Sequence, residues 1–146
     1  MRLVTFLFIF LYSIVVTADT STKLIIPLKI SVSTLTAEVA HTQMLRARGL
    51  MNRTSLEENS GMLFIFPEAG YYSMWMLNTN IPLSVAFLDE KGVILNLADM
   101  IPHTRTTHNS AGLAKYALEM NQGWFSARGI KAGEKVIGLE KVPTAN

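Results

Sequence analysis

The segment from Trp75 to Asp89 carries polar groups into an otherwise apolar run. Within it, Trp75, Asn78 and Thr79 supply an indole N–H, an amide and a hydroxyl, which need hydrogen-bond partners wherever the fold buries them. Such groups either line a cleft, where a few polar atoms orient a ligand, or serve packing and turns. In the structural alternative, which is the commoner one, Trp75 lies in the core and Asn78 and Thr79 close a turn. We predict a small-ligand cleft near these three residues.

Glu119 is the strongest acid-base candidate, because it follows Tyr116-Ala117-Leu118 in an apolar stretch. Burial without a cationic partner would raise the pKa of its carboxyl group and suit it to general acid or base catalysis. A hydrolase or lyase would then use Glu119 with an arginine that stabilises an anion. An ion pair between Glu119 and an arginine is the structural alternative.

Three arginines, Arg46, Arg48 and Arg53, lie close together in the sequence. Guanidinium groups suit carboxylate or phosphate recognition, and we include Arg48 and Arg53 among the candidate ligand-binding residues. Positions 46 and 48 point to different sides of a helix, so the three do not form one clamp. The alternative is a solvated face that pairs locally with Glu57 or Glu58.

Metal and cofactor chemistry finds little support in the sequence. The chain has no cysteine, and its three histidines, His41, His103 and His108, lack the helical His-x-x-x-His spacing. No Gly-x-Ser-x-Gly elbow marks a serine nucleophile. The eight methionines stand in apolar contexts that favour core packing over thioether metal ligation. We therefore predict no metal site and no cofactor.

The N-terminal residues predict export. Met1-Arg2 gives a positive start, residues 3–16 form an apolar block, and Val16-Thr17-Ala18 fits the small-residue rule for cleavage. Polar residues begin at Asp19, too early for the roughly 20 apolar residues that span a bilayer. We expect cleavage of a signal peptide, residues 1–18, and a periplasmic or secreted protein. The alternative is an uncleaved segment that anchors the protein to the membrane.

Charge and composition limit the classes of binding partner that we expect for this protein. Thirteen Lys and Arg residues stand against eleven Asp and Glu residues, a formal net charge of +2, and the basic residues are scattered. A nucleic-acid-binding protein would concentrate them on one face, so we expect no nucleic-acid partner. Export without cysteine is typical of a bacterial envelope protein, whose partner would be a small molecule or another envelope protein.

The elements that must position these residues are mostly short strands. Patterns predict strands at 23–32, 34–40, 61–66, 71–77, 84–88, 93–98, 115–120 and 134–142, with Pro67 ending the third. Short helices are predicted from Thr42 to Arg48, ended by a left-handed Gly49, and from Gly123 to Arg128. Asp89-Glu90-Lys91-Gly92 predicts a hairpin turn, and residues 100–112 predict a long irregular connection.

These elements predict a mainly β (α+β) fold, a compact and partly barrel-like single domain at residues 23–142 with two short helices and a tail at 143–146. Strand 84–88 has apolar side chains on both faces, which places it inside the sheet.

An ordered set of motifs resembles the bacterial and archaeal family called domain of unknown function 192, from about Pro27 to Val142. The resemblance implies a compact β-rich domain, often exported, whose biochemical activity has no settled description. Two positions differ from the family pattern, Ser84 where an acidic residue is expected and Glu134 where Asp is commoner. The motifs are Arg46–Arg53, Gly61–Phe66, Trp75–Leu83, Phe87–Asp89 with Gly92, Tyr116–Glu119 and Gly129–Val136.

Two classes of function follow. The favoured one is a non-enzymatic envelope module that binds a small ligand or acts as an accessory protein, with its cleft near Trp75, Asn78 and Thr79. The second is the hydrolase or lyase that uses Glu119. A single open pocket shared by Trp75, Asn78, Arg48 and Glu119 would connect these candidates.

Overall fold

The computed structural model describes residues 23–146, so the predicted signal peptide at residues 1–18 lies outside the described residues. Nine strands and two short α-helices make up this part of the chain, with a 3₁₀ turn at Leu139–Lys141. The elements are β1 (Ile25–Ile30), β2 (Ser33–Ala40), α1 (Gln43–Arg48), β3 (Ser60–Gly70), β4 (Ser73–Met74), β5 (Leu83–Leu88), β6 (Ile94–Met100), β7 (His108–Asn109), β8 (Ala114–Asn121), α2 (Trp124–Ala127) and β9 (Val136–Ile137).

Seven of the strands form one curled sheet in the order β6-β5-β8-β3-β2-β1-β9, and β4 pairs separately with β7. Only β2 and β3 run parallel in the curled sheet. The two ends of the sheet approach each other where Val93 forms a bridge with Lys135. There the Ile94 N–H donates to the Glu134 carbonyl over 2.8 Å. This half-barrel confirms the predicted β-rich, partly barrel-like fold.

The sheet buries both of its faces. Because strand side chains alternate, neighbouring residues of one strand enter different cores. The inner core includes Leu63 and Leu118 and joins residues from both ends of the sheet, such as Ile94 and Val136, whereas the outer core includes Phe64 and Ala117. All six residues of β5 are buried, as its two-sided apolar pattern predicts.

Helix α1 begins as predicted. The Thr42 hydroxyl accepts a hydrogen bond from the Leu45 N–H at 3.2 Å and caps the helix. Gly49 follows with φ 48° and ψ −136°, so its φ is positive but its conformation is not the left-handed helical one we predicted. Leu45 and Leu50 pack on the outer core.

Three predicted strands differ most from the observed bounds. Pro67 does not end β3, which continues to Gly70 through a break in its register with β8 between Ile65 and Gly70. Pro67 is exposed there, where its missing N–H costs no ladder bond. The predicted strand 71–77 shrinks to β4, and the predicted strand 134–142 shrinks to β9 and the 3₁₀ turn.

The tail also packs on the domain. Val142 and Ala145 contact the inner core, and the Asn146 N–H donates to the His41 carbonyl over 3.1 Å. Across residues 23–146, no helix has both the length and the apolar character needed to cross a bilayer.

Candidate functional site

A cavity of about 720 Å³ opens on the outer face of the sheet. Its volume lies within the range typical of small-molecule sites. Strands β3 and β8 form one side, and α1 with the segment from Tyr72 to Thr79 forms the other. The lining residues are Gln43, Arg46, Ala47, Arg48, Gly49, Leu50, Met51, Phe64, Phe66, Pro67, Tyr72, Ser73, Met74, Trp75, Thr79, Glu119 and Asn146.

Glu119 supplies the acidic group of this cavity. It lies on β8, where it pairs in register with Met62 of β3 and Val85 of β5, and it is only 4% exposed. No hydrogen bond or ion pair from residues 23–146 reaches its side chain, so the alternative of an ion pair with an arginine is not observed. Burial raises the pKa of Glu119 to about 8, because an ionised carboxylate loses its hydration there. At neutral pH its predominant form is the neutral acid, which can donate one hydrogen bond.

Aromatic side chains form much of the remaining lining. The rings of Phe66 and Tyr72 stack with their centroids 3.6 Å apart and their planes 8° from parallel. Trp75 also lines the cavity, and 49% of it is exposed, so it does not lie in the core. Phe64 completes the aromatic set. These groups give the cavity a large apolar contact surface.

The long connection at residues 100–112 holds one wall of the cavity in place. Strand β7 of this connection pairs with β4, so Ser73 lies opposite Asn109 and donates its hydroxyl hydrogen to the Asn109 Oδ1 over 2.6 Å. The Tyr72 N–H donates to the buried Ser110 hydroxyl over 3.1 Å. The His103 N–H donates to the Met76 carbonyl, also over 3.1 Å. These bonds fix the backbone that carries Tyr72 and Trp75.

Thr79 and Asn78 lie in different environments. Thr79 is buried and lines the cavity, and its hydroxyl donates to the Leu77 carbonyl over 3.2 Å. Asn78 is exposed in a turn with φ 54° and does not line the cavity. Its carbonyl accepts a hydrogen bond from the Asn52 N–H at 2.9 Å. Its position is that of a turn residue, the structural alternative set out above.

The arginines do not converge. Arg46 lines the cavity, but its guanidinium donates to the carbonyls of His41, Ile65 and Asn146 over 2.8, 3.0 and 2.8 Å. Arg48 lines the same cavity with an exposed side chain. Within the described range it makes no side-chain hydrogen bond or ion pair.

Arg53 lies in a neighbouring cavity of about 630 Å³ that shares Arg48, Gly49 and Met51 with the first. Its two terminal nitrogens bind both carboxylate oxygens of Glu38 over 2.5 and 2.6 Å. This forked contact lowers the pKa of Glu38 and raises that of Arg53. The sequence analysis gave Glu57 and Glu58 as the local partners of the three arginines in the alternative interpretation. Arg53 pairs with Glu38 instead, and Glu58 pairs with Arg128.

None of the three histidines, His41, His103 and His108, lines this cavity. His103 is exposed, and the Nδ1 atom of His41 is buried without a hydrogen-bond partner. In the part of the chain that the structure describes, no three His, Asp or Glu side chains are grouped as metal ligands.

Sequence analysis missed several lining residues, among them Phe66, Tyr72 and Met51. An apolar residue in a cavity wall has the same sequence pattern as one in a filled core, so periodicity cannot separate the two. The one sequence signal that could have identified them was their position in the chain near Trp75 or near the arginines.

The fold and the cavity define a class of protein, a curled β-sheet domain with one candidate ligand pocket on its outer face. A comparison with family models assigns the chain to a particular family. Residues 26–138 match the DUF192 family, described as "Uncharacterized ACR", and the chain belongs to this family.

Two solved structures are similar to this chain. One, from Sinorhizobium meliloti 1021, is described as a candidate transcription regulator; it is 30% identical, with a TM-score of 0.77, over 80% of this chain and 95% of the other. The second, from Novosphingobium aromaticivorans, is a protein of unknown function. It is 32% identical, with a TM-score of 0.74, over 82% of this chain and 89% of the other. A search of curated proteins finds no match.

Proposed function

We propose that this protein is an exported, non-enzymatic module that binds a small ligand in the cavity between β8 and the Tyr72–Thr79 wall. The observation that carries the proposal is the unpaired, buried carboxyl group of Glu119 beside an aromatic lining in one open cavity. Pockets that bind small molecules combine an apolar wall with a few polar groups in this way.

Each candidate residue has a distinct role in the proposed site. Trp75 and the stacked rings of Phe66 and Tyr72 contact the body of the ligand. Glu119 contacts a polar group at the buried end, and Arg48 contacts the part of the ligand that stays near solvent. An unpaired buried polar group costs free energy, roughly 1–3 kcal/mol, which a ligand that bonds to it can recover.

Binding is favoured over catalysis because the other reactive groups of the cavity are engaged. A hydrolase or lyase needs a second group near Glu119 to attack the substrate or stabilise an anion. The hydroxyls of Ser73 and Thr79 donate to Asn109 and Leu77, and Arg46 donates to three carbonyls. Arg46 has three of its five N–H donors engaged, whereas Arg48 has none engaged among the described residues and lies in an exposed position.

Loss of the Trp75 ring tests the proposed site. We expect purified protein to gain thermal stability with at least one compound of a broad panel of metabolites, sugars, peptides and metal ions, and Trp75→Ala to lose that gain. The reason is that Trp75 contributes contact area at the cavity while half of it is already exposed, so its removal spares the core.

Tyr71→Ala is the matched control, because Tyr71 is an exposed neighbouring aromatic that does not line the cavity. It should leave the stabilisation unchanged. A broad panel without any hit, or equal losses in the two variants, would contradict the proposal.

Export rests on the N-terminal pattern, a positive start, an apolar block and Val16-Thr17-Ala18. N-terminal sequencing of the protein from the envelope or medium fraction of a bacterial host tests it. We expect Asp19 as the first residue. Protein that retains Met1 in the soluble cytoplasmic fraction would contradict export.

A further inference from the structure

We propose that the ligand is an organic ammonium ion, an amine or quaternary ammonium compound whose positive charge lies against Glu119 and whose apolar substituents contact the aromatic lining. This inference rests on the proposed function and names the chemical class that the same site selects.

The first argument is charge. Among residues 23–146, Glu119 is the only acidic side chain that lines the cavity, it is 96% buried, and none of these residues pairs with it. A cation bound against it would supply the missing counter-charge. Within an apolar cavity such a pair is far stronger than in water, because the surroundings screen it less.

The second argument is the lining. Phe64, Phe66, Tyr72 and Trp75 place four aromatic rings around the same space. Ring faces attract cations through their quadrupole, and aromatic cages recognise quaternary ammonium groups. A neutral ligand would gain from the rings but not from Glu119 as a carboxylate. An anionic ligand would meet the Glu119 carboxyl group as a hydrogen-bond donor only.

Binding of a cation should release the proton of the Glu119 carboxyl group. Burial raises its pKa to about 8, so at lower pH the carboxyl group is protonated before binding. A bound ammonium ion favours the carboxylate, and the proton leaves to the buffer. The other titratable or charged side chains that line the cavity are Arg46, Arg48 and Tyr72. The residues in register with Glu119 on β3 and β5, Met62 and Val85, are apolar.

Calorimetry with matched ligands tests this inference. The probes are hydroxylated quaternary ammonium ions of increasing size, beginning with choline, and the neutral alcohols in which carbon replaces each nitrogen. At about pH 6.5 we expect an ammonium probe to bind at least about tenfold more tightly than its neutral analogue. Titrations in two buffers of different ionisation enthalpy should show about one proton released per bound cation, since Glu119 ionises.

Glu119→Gln keeps the shape of the side chain and removes its capacity to ionise. It should weaken binding of the ammonium probe by at least about thirtyfold, abolish proton release and leave the neutral analogue within about threefold. Glu68→Gln is the control, because it makes the same substitution at an exposed carboxyl group that does not line the cavity. It should change neither measurement by more than about twofold.

The outcomes separate the two proposals. Neutral analogues that bind in a Trp75-dependent manner as tightly as the ammonium probes would overturn the cation inference and leave the binding function standing. Cation binding that Glu119→Gln does not weaken would also overturn the inference. If no probe binds and the broad panel gives no hit, both proposals fail.

Discussion

At the scale of single residues, the main feature of the site is Glu119, whose burial without a partner among residues 23–146 costs free energy in the folded state. A carboxyl group that is 4% exposed and has no partner among the described residues favours its neutral form. The same burial therefore weakens the fold at high pH. Asp99, by contrast, accepts a hydrogen bond from the Ser84 hydroxyl over 2.5 Å. Its carboxylate thus has a partner that Glu119 lacks.

Stability should fall as pH rises through the range in which Glu119 titrates. Its pKa rises from 4.5 to about 8 on folding, so the folded state binds more protons than the unfolded state between these values. The free energy of unfolding should therefore decrease by up to about 1.4 kcal/mol per pH unit inside that window. Urea unfolding of the unliganded protein at several pH values measures the slope.

Glu119→Gln should remove most of this slope and exceed the native sequence in stability at the upper end of the window. Glu68→Gln should keep the slope. A Glu119→Gln profile that runs parallel to that of the native sequence would show that this carboxyl group does not carry the pH dependence.

Residue types alone identified candidate residues for the site, but they did not show which of these residues line the cavity. Trp75, Thr79, Arg48 and Glu119 line one cavity, whereas Asn78 lies in an exposed turn and Arg53 binds Glu38 in the neighbouring cavity. The difference depends on the side-chain directions that tertiary packing imposes. Local sequence does not contain that information.

At the scale of elements, local signals worked where the element depends on local contacts. The Thr42 cap, the hairpin at Asp89 to Gly92 and the two-sided burial of β5 all follow from short patterns. Gly92 adopts φ 78° in that hairpin, a backbone conformation that glycine reaches without steric cost.

Strand ends were less predictable because the partner strand decides them. Pro67 is a strong breaker signal, yet β3 continues to Gly70 because its far end pairs with Ala114 of β8 after a break in register. The segment 71–77 contains strand-forming residues, but only Ser73 and Met74 find a partner, in β7. The 71–77 segment is instead anchored by side chains and backbone groups of the connection at 100–112.

At the scale of the whole molecule, the fold depends on the curl of its sheet. This curl places β9 beside β1 and lets Lys135 form a bridge with Val93. Gly138 follows β9 at a point of close approach. A Cβ atom added there would lie 2.7 Å from the Pro27 carbonyl oxygen, at a φ of 108°. Backbone atoms cannot yield as a flexible side chain can.

Gly138→Ala should therefore lower the free energy of unfolding by about 3 kcal/mol or more, from backbone strain together with the clash. Gly133→Ala is the matched control, since Gly133 has φ 93° but no heavy atom within 4 Å of an added Cβ. It should lose only about 1–2 kcal/mol, the cost of the backbone conformation. Equal losses in chemical denaturation of the two variants would show that the closure at Gly138 is not tightly packed.

The sequence by itself determined the strand-rich composition, the capped helix, the main hairpin and the motifs of the DUF192 family. These features depend on contacts between residues close in the chain or on the order of motifs along it. Only the tertiary structure decided which residues share the cavity, because Glu119, Trp75 and α1 are distant in sequence and line the same cavity only in the folded chain. The pKa of Glu119 follows from the same fact, since burial is a property of the packed molecule rather than of the residue.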